Sequence, residues 1–393
     1  MGSSSPEKPQ PADARRGSST PLIRLAVVLV AAAVFLILFK PATAVDGKLQ
    51  AVLDDRARAM RAGDRDAFQA LHDPDAIAAS TGWWEYEANL FNSYQDAREQ
   101  EGAVDRQAEY PAFEVIETGR QMDTAWARVV VAGDVDAPPR VEFFRRVAGR
   151  WLLAAPDPAY WGEPAVHQAL YFVWRYRAAD DGRVKRLAPT ADAAWGRMAA
   201  DFDVRLPTAL LPIEICYSFE CGTGSNRDRD ARYIMAPPLV GSSEADMEDV
   251  LVSLLMGDLS SLVIGPGGQD RAVGSPVLLA GIYTWEREQV TGRAPGWVAP
   301  LLAEAVASGA LLSLDQISLS PDRGTYTLAH AQAYALVDYF VTHYNPRILP
   351  ALLRAAGARS SITVTVQDVL PEGANVPAFE EQWRDYLRTT YGP

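Results

Sequence analysis

The sequence predicts an α+β protein in three parts: an N-terminal transmembrane helix, an α+β domain, and a mostly helical domain that opens with a small sheet. Three observations predict this. An apolar run of eighteen residues stands near the start, helical spacing gives way to alternation between residues 45 and 163, and helical spacing dominates from residue 165 to the end. The 393 residues suit about two folded domains beyond the anchor, and a hydrophobic fraction of 48% can fill their cores. A net charge of −13 argues against a nucleic-acid partner, which calls for a clustered basic surface.

Residues 1–21 are rich in Ser and Pro and form a disordered, cytoplasmic tail. The membrane span is residues 22–40. Leu22 to Phe39 is apolar except for Arg24, which can snorkel to the headgroups. At a helical rise of about 1.5 Å per residue this run crosses roughly 27 Å, a thin bilayer core. Lys8, Arg15 and Arg16 favour a cytoplasmic N-terminus, so the large C-terminal body is extracytoplasmic and the chain is a single-pass protein of the cell membrane. A cleaved leader is the competing reading, because Ala42-Thr43-Ala44 fits the small-residue cleavage pattern. The long leader and the tight Lys40 boundary fit an anchor better.

Residues 45–163 read as helices followed by strands. Leu49, Val52, Leu53, Ala57 and Met60 make one helical stripe. Gly63-Asp64 breaks it, Ala67, Phe68 and Leu71 continue on a short second helix, and a third runs from Trp84 to Glu101. The stretch His72-Asp73-Pro74 reads as a turn, which makes His72 a capping or surface residue rather than a catalytic base. Trp83, Trp84, Tyr86 and Phe91 read first as core packing and second as a docking surface. Alternation then marks strands at Phe113–Glu117, Ala125–Val131 and Val141–Val147. Ala148-Gly149-Arg150 turns the last of these into Trp151-Leu152-Leu153.

Strand-Gly-Arg-Trp-Leu-Leu after a set of helices resembles the NTF2-like fold, a strongly curved sheet wrapped by helices. That superfamily includes enzymes with acid/base residues in the sheet's cavity and many non-catalytic binding modules. A small-molecule binder using this cavity, with Trp126 and Trp151 as its probes, is therefore one expectation.

Residues 165–393 supply a strand at Tyr171–Tyr176, a helix from about Arg183 to Phe202 that Pro189 should kink or delay, and a strand from Leu211 to Ser218. Ile234–Gly241 resembles an edge strand and turn, and Ala245 to Val263 the helix after it, of the family that the whole order of elements resembles. Cys216 and Cys221 flank the turn-like Phe219-Glu220, and an oxidising compartment permits either a disulfide or two thiols. Gly265-Pro266-Gly267-Gly268 lacks the G-K-[ST] ending of a P-loop and reads as a linker, and Asn226–Asp230 as a solvated loop. Leu278, Ile282, Trp285 and Gln289 recur at helical spacing, the turn Gly292–Gly296 follows, and Trp297–Glu304 opens another helix. One long helix spans Tyr326–Tyr344, and Phe379–Leu387 lies in a closing one.

The order of these elements resembles the peptidase MA-like fold of gluzincins, with every zinc ligand missing. The resemblance puts Gly281 and Trp285 where the two histidines of H-E-x-x-H stand, Ile282 at the general base, and Pro300 at the ligand Glu of the following helix. None of these four residues can hold zinc or activate water. The expectation is a catalytically inactive scaffold with no metal and no cofactor, whose partner is a protein or peptide.

The remaining chemistry is sparse. His330 and His343 are thirteen residues apart on one helix and cannot chelate one ion together. Glu286, Glu288 and Glu304 lie near the degenerate motif and could serve a carboxylate-based hydrolase, the rival reading, although a solvated surface is the default for them. No G-x-S-x-G elbow is present.

Overall fold

The computed structural model describes residues 46–100, 111–134, 136–221, 224–226, 231–264, 275–318 and 323–392. The expected tail, the span at 22–40, the linker Gly265–Gly268 and most of the loop at 226–230 lie outside them. Among the described residues no helix is long and apolar enough to cross a membrane. The chain is an α+β protein, and its described residues form two separate sheets.

Helix α1 (Asp46–Ala62) buries Leu49, Val52, Leu53, Ala57 and Met60. Gly63, at a φ of 69°, ends it, and the Asp64 carboxylate accepts from the amide of Ala67 to start α2 (Arg65–Ala70). The stretch read as a turn at Pro74 is instead a short helix, α3 (Pro74–Ala79). Proline suits its first position because that N–H has no helical partner, and Asp73 caps it. Helix α4 (Thr81–Gln100) follows.

Strands β1 (Phe113–Gln121), β2 (Thr124–Val131), β3 (Arg140–Val147) and β4 (Arg150–Ala154) form an antiparallel sheet in chain order. A β-bulge between Val115 and Glu117 interrupts the β1–β2 register, a device that bends and twists a strand. The two-residue turn Ala148-Gly149 joins β3 to β4 with both φ values positive, 48° and 85°, as a twist-matched tight hairpin requires. One face of the sheet packs Phe113, Ala125, Ala127, Val129, Phe144, Trp151 and Leu153 against the helices.

The second sheet has the order β5-β6-β7-β9-β8. Strands β6 (Phe172–Arg177), β7 (Leu211–Cys216) and β9 (Ala231–Met235) are parallel neighbours, and the edges β5 (Pro164–Gln168) and β8 (Gly224–Asn226) are antiparallel to them. One expectation changes here. The strand containing Ile234 is interior, because β8 covers it as the edge, and β5 had no clear sequence signal. Helix α5 (Asp181–Asp201) connects β6 to β7 and runs through Pro189 without a delayed start.

After α6 (Pro237–Val240) come α7 (Glu244–Ile264), α8 (Pro276–Thr291), α9 (Val298–Ser308), α10 (Leu314–Ser318), α11 (Arg323–His343), α12 (Leu349–Ala358), α13 (Ile362–Val369) and α14 (Val376–Tyr391). Helix α11 is central: Ala329, Ala331, Ala333, Ala335, Leu336, Val337 and Phe340 are all fully buried, and α8, α9, α10 and α14 pack against it. Alanines on successive turns let neighbouring backbones approach closely.

The two sheet systems share a core. Val141 and Phe143, on the outer face of the first sheet, pack with Trp161 in the hydrophobic cluster of the second domain. Helix α6 lies against β3. A second contact joins α4 to the loop after β7. Tyr86 stacks on Phe219 with centroids 4.2 Å apart, while Glu220 accepts from the Ser80 hydroxyl at 2.6 Å and the Gly82 amide at 3.1 Å. The cluster read first as core packing is thus divided: Trp83 and Phe91 are buried in the first domain, and Tyr86 docks the second.

Candidate functional site

Helix α8 carries three of the four residues that the peptidase resemblance singles out, and packs them against α11. Ser275 caps α8 through its hydroxyl, Pro276 takes the first position, and Gly292 closes the helix in the left-handed conformation. The resulting helix turns Gly281, Ile282 and Trp285 inward, all buried. At Gly281 the helices nearly touch. A Cβ there would lie 2.7 Å from the carbonyl carbon of Ala333 and 2.8 Å from the amide nitrogen of Tyr334, both backbone atoms that cannot swing aside. Ile282 is in the hydrophobic core.

Trp285 is 5% exposed, and its indole N–H donates to Asp338 Oδ1 at 3.2 Å. The other oxygen of Asp338 accepts from the Tyr386 hydroxyl at 2.5 Å, so one carboxylate ties α8 to α14 through α11. One turn on, the Tyr334 hydroxyl donates to Glu288. Burial, followed by the neighbouring carboxylates, pushes the Tyr334 and Tyr386 hydroxyls above the usual phenol range and holds them as donors. For Tyr391, burial and then Asp338 and Glu288 push the value up to about 12.

Pro300 lies elsewhere. It stands exposed in the first turn of α9, where the missing N–H has no helical acceptor to satisfy, and it is not on the buried face that Gly281 and Trp285 share. Trp297, which precedes α9, instead packs against His330 with centroids 5.0 Å apart. His330 Nε2 is 2.8 Å from the Thr284 hydroxyl, and burial lowers the imidazole below its usual value. His343 sits three turns away against Tyr339 and Tyr386.

These residues do not fit a zinc ion. Gly281 and Pro300 offer no side-chain donor, Ile282 no base, and the Trp285 nitrogen carries a proton already given to Asp338. Among the described residues no group of three His, Cys, Asp or Glu side chains could hold a metal ion.

Of the three carboxylates considered for a hydrolase, only Glu304 is on the surface. Glu288 is partly buried under Tyr334, and Glu286 is 0% exposed. Among the described residues neither Glu286 oxygen has a hydrogen bond of ordinary geometry. Burial, then the Asp201 carboxylate of α5, pushes Glu286 up to about 8 against the opposing charge of Arg197. The surface reading of Glu286 is therefore overturned. It sits one turn past Ile282, on the side of α8 that meets α5.

The first domain holds a second buried polar group. His72 is 2% exposed, not a surface residue: Leu153 of β4 bridges it, and Phe68, Trp83 and Trp84 surround the ring. Its Nδ1 faces the Phe68 carbonyl at 2.8 Å and its Nε2 faces Glu87 at 3.4 Å. Glu87 also takes Arg56 Nη2 at 2.5 Å, and Arg56 reaches Glu142 of β3 at 3.2 Å. Burial alone would raise the Glu87 carboxyl, but the Arg56 charge and the His72 contact prevail and hold it at about 2. Trp126 and Trp151 do not line one cavity: Trp151 is in the inner core, while Trp126 lies on the outer face against Tyr160. A hollow of about 290 Å³ has Ala76, Ala79, Ala125, Phe143 and Phe144 in its lining together with Arg145, which Asp73 and Asp75 hold, and neither tryptophan lines it.

No protein-family model matches the chain, and no curated protein matches it.

Proposed function

We propose that the chain is a membrane-anchored extracytoplasmic binding or scaffold protein, in which a peptidase MA-like domain that does not hydrolyse peptides follows an NTF2-like domain. The observation that carries this reading is the seam between α8 and α11. Where the resemblance puts the first zinc histidine, backbone atoms of Ala333 and Tyr334 stand within 2.8 Å of any added Cβ, and where it puts the second, an indole is fixed to Asp338. Close helix packing has taken the place of a coordination sphere. A scaffold of this kind keeps shape for recognising a protein or peptide without supplying a Lewis acid or an activated water.

The apolar run Leu22 to Phe39 in the sequence supports the membrane part of the reading, and the Cys216–Cys221 disulfide agrees with an oxidising compartment. The experiment is a hydrolysis assay of the full chain against a mixed peptide library, with and without added zinc. The expected result is no cleavage above a buffer control. Cleavage that a chelator abolishes and zinc restores would contradict the reading.

A further inference from the structure

We propose that the Cys216–Cys221 disulfide is a redox-sensitive latch that holds the second domain on the N-terminal turn of α4. The bond closes a six-residue loop directly after β7, with Cα atoms 6.3 Å apart. The loop's tip, Phe219 and Glu220, is the part that grips the first domain. Phe219 supplies the ring under Tyr86 and its carbonyl oxygen would lie 2.8 Å from a Cβ at Gly82, so only glycine admits the loop this close. Glu220 accepts from Ser80 and from the Gly82 amide, one of the free N–H groups at the start of α4. Its negative charge also suits the positive end of the helix.

The cross-link keeps the tip in register. At the loop's base, Tyr217 is pinned by its hydroxyl to Asp180 at 2.7 Å and by the Arg177 amide at 2.9 Å, and the disulfide returns the chain to that fixed point. Without it, the segment after Tyr217 regains the conformational freedom that the short loop had removed. The sulfurs are unequally placed. Cys216 is 3% exposed and Cys221 only partly buried, so an incoming thiolate reaches Cys221 first. A dithiol reductant is the co-reactant. Its thiolate bonds to Cys221 Sγ, the Cys216–Cys221 bond breaks, and the electron pair leaves on Cys216 Sγ, which takes up a proton beside the Ser218 carbonyl 3.0 Å away. The reductant's second thiolate then displaces Cys221 and departs as a disulfide, two electrons having passed to the protein.

The main contact between the domains, through Val141, Phe143 and Trp161, meets the loop at its base, where the Tyr217 ring lies 5.0 Å from that of Trp161, and Asp180 and the Arg177 amide hold Tyr217 there whether or not the disulfide is closed. Reduction therefore frees the start of α4 without separating the two bodies. The test is amide hydrogen exchange on the full chain, before and after treatment with dithiothreitol under native conditions. Exchange across residues 81–86 should rise about tenfold or more while β2 and α5 are unchanged, and reoxidation should restore it. Glu220→Ala, which removes the acceptor while the disulfide stays intact, should accelerate the same segment. Two results overturn the proposal: sulfurs that resist the reductant until the protein unfolds, or a fully reduced chain that keeps the slow exchange of the oxidised one.

Discussion

Glu286 is a carboxyl group in the wrong solvent, and its effect on stability has a definite sign. Its folded value of about 8 lies above the ordinary 4.5, so the native state binds the proton more tightly than the unfolded chain. The associated stability is complete below pH 4.5 and is lost as pH rises toward 8. Glu286→Gln keeps the shape and removes the charge. It should raise the melting temperature at pH 8.5, at roughly 2–4 °C for each kcal/mol recovered, and change little at pH 4.5, as calorimetry at the two pH values would reveal. Glu87 has the opposite sign: held at about 2, it stabilises the fold above its unfolded value of 4.5 and fails only as pH falls through about 2. Removing its partner by Arg56→Met strands a buried carboxylate and should cost about 3–5 kcal/mol in urea unfolding. Both ions were legible as a pair. Arg56 falls at helical spacing between Val52 and Met60, and Glu87 between Trp83 and Phe91, so each interrupts an apolar stripe and their charges are opposite. Reading the stripes without the interruptions missed them, and left His72 on the surface because its three-residue context looked like a turn.

At the scale of elements, local chemistry was the most readable. The stripe of α1, the Gly63-Asp64 break, the alternating strands and the Gly-centred hairpin all appear where side-chain period and turn residues put them. The hairpin carries a visible cost, since Ala148 holds a φ of 48° that an L-residue with a Cβ resists. Ala148→Gly should stabilise the protein by about 0.5–1 kcal/mol, seen as a higher urea midpoint at unchanged slope. What local pattern could not supply is long-range pairing. The short edge β8 and the early strand β5 exist because neighbouring strands offer hydrogen bonds, and neither has enough length to show a period. The same limit applies to the candidate site. Gly281 and Trp285 share a face as helical spacing requires, but nothing in the spacing says that α11 would press on it or that Pro300 would stand outside. Asp338, the only charge in Ala331–Phe340, was the one available sign that α11 had a polar task. Gly281→Ala should test how tight the seam is, with an expected loss of about 1–3 kcal/mol from overpacking.

At the scale of the whole molecule, the described residues form two sheet-and-helix bodies joined through a common apolar patch. Because Val141 and Phe143 belong structurally to one domain and pack in the core of the other, Phe143→Ala should destabilise both by about 3–5 kcal/mol and shift a single calorimetric transition instead of splitting it. Where α8, α11 and α14 meet, the partly buried Glu288 and Asp338 and their tyrosines are already satisfied by one another. The positions that the resemblance assigns to the zinc histidines and the general base, Gly281, Trp285 and Ile282, are taken up by packing and leave no donor for a metal ion. Metal analysis of the full chain, purified without chelators and dialysed against zinc, bears most directly on that claim. The account predicts zinc far below one atom per chain, with no change in melting temperature on adding the metal. One tightly held zinc per chain, lost together with stability when a chelator is added, would contradict it.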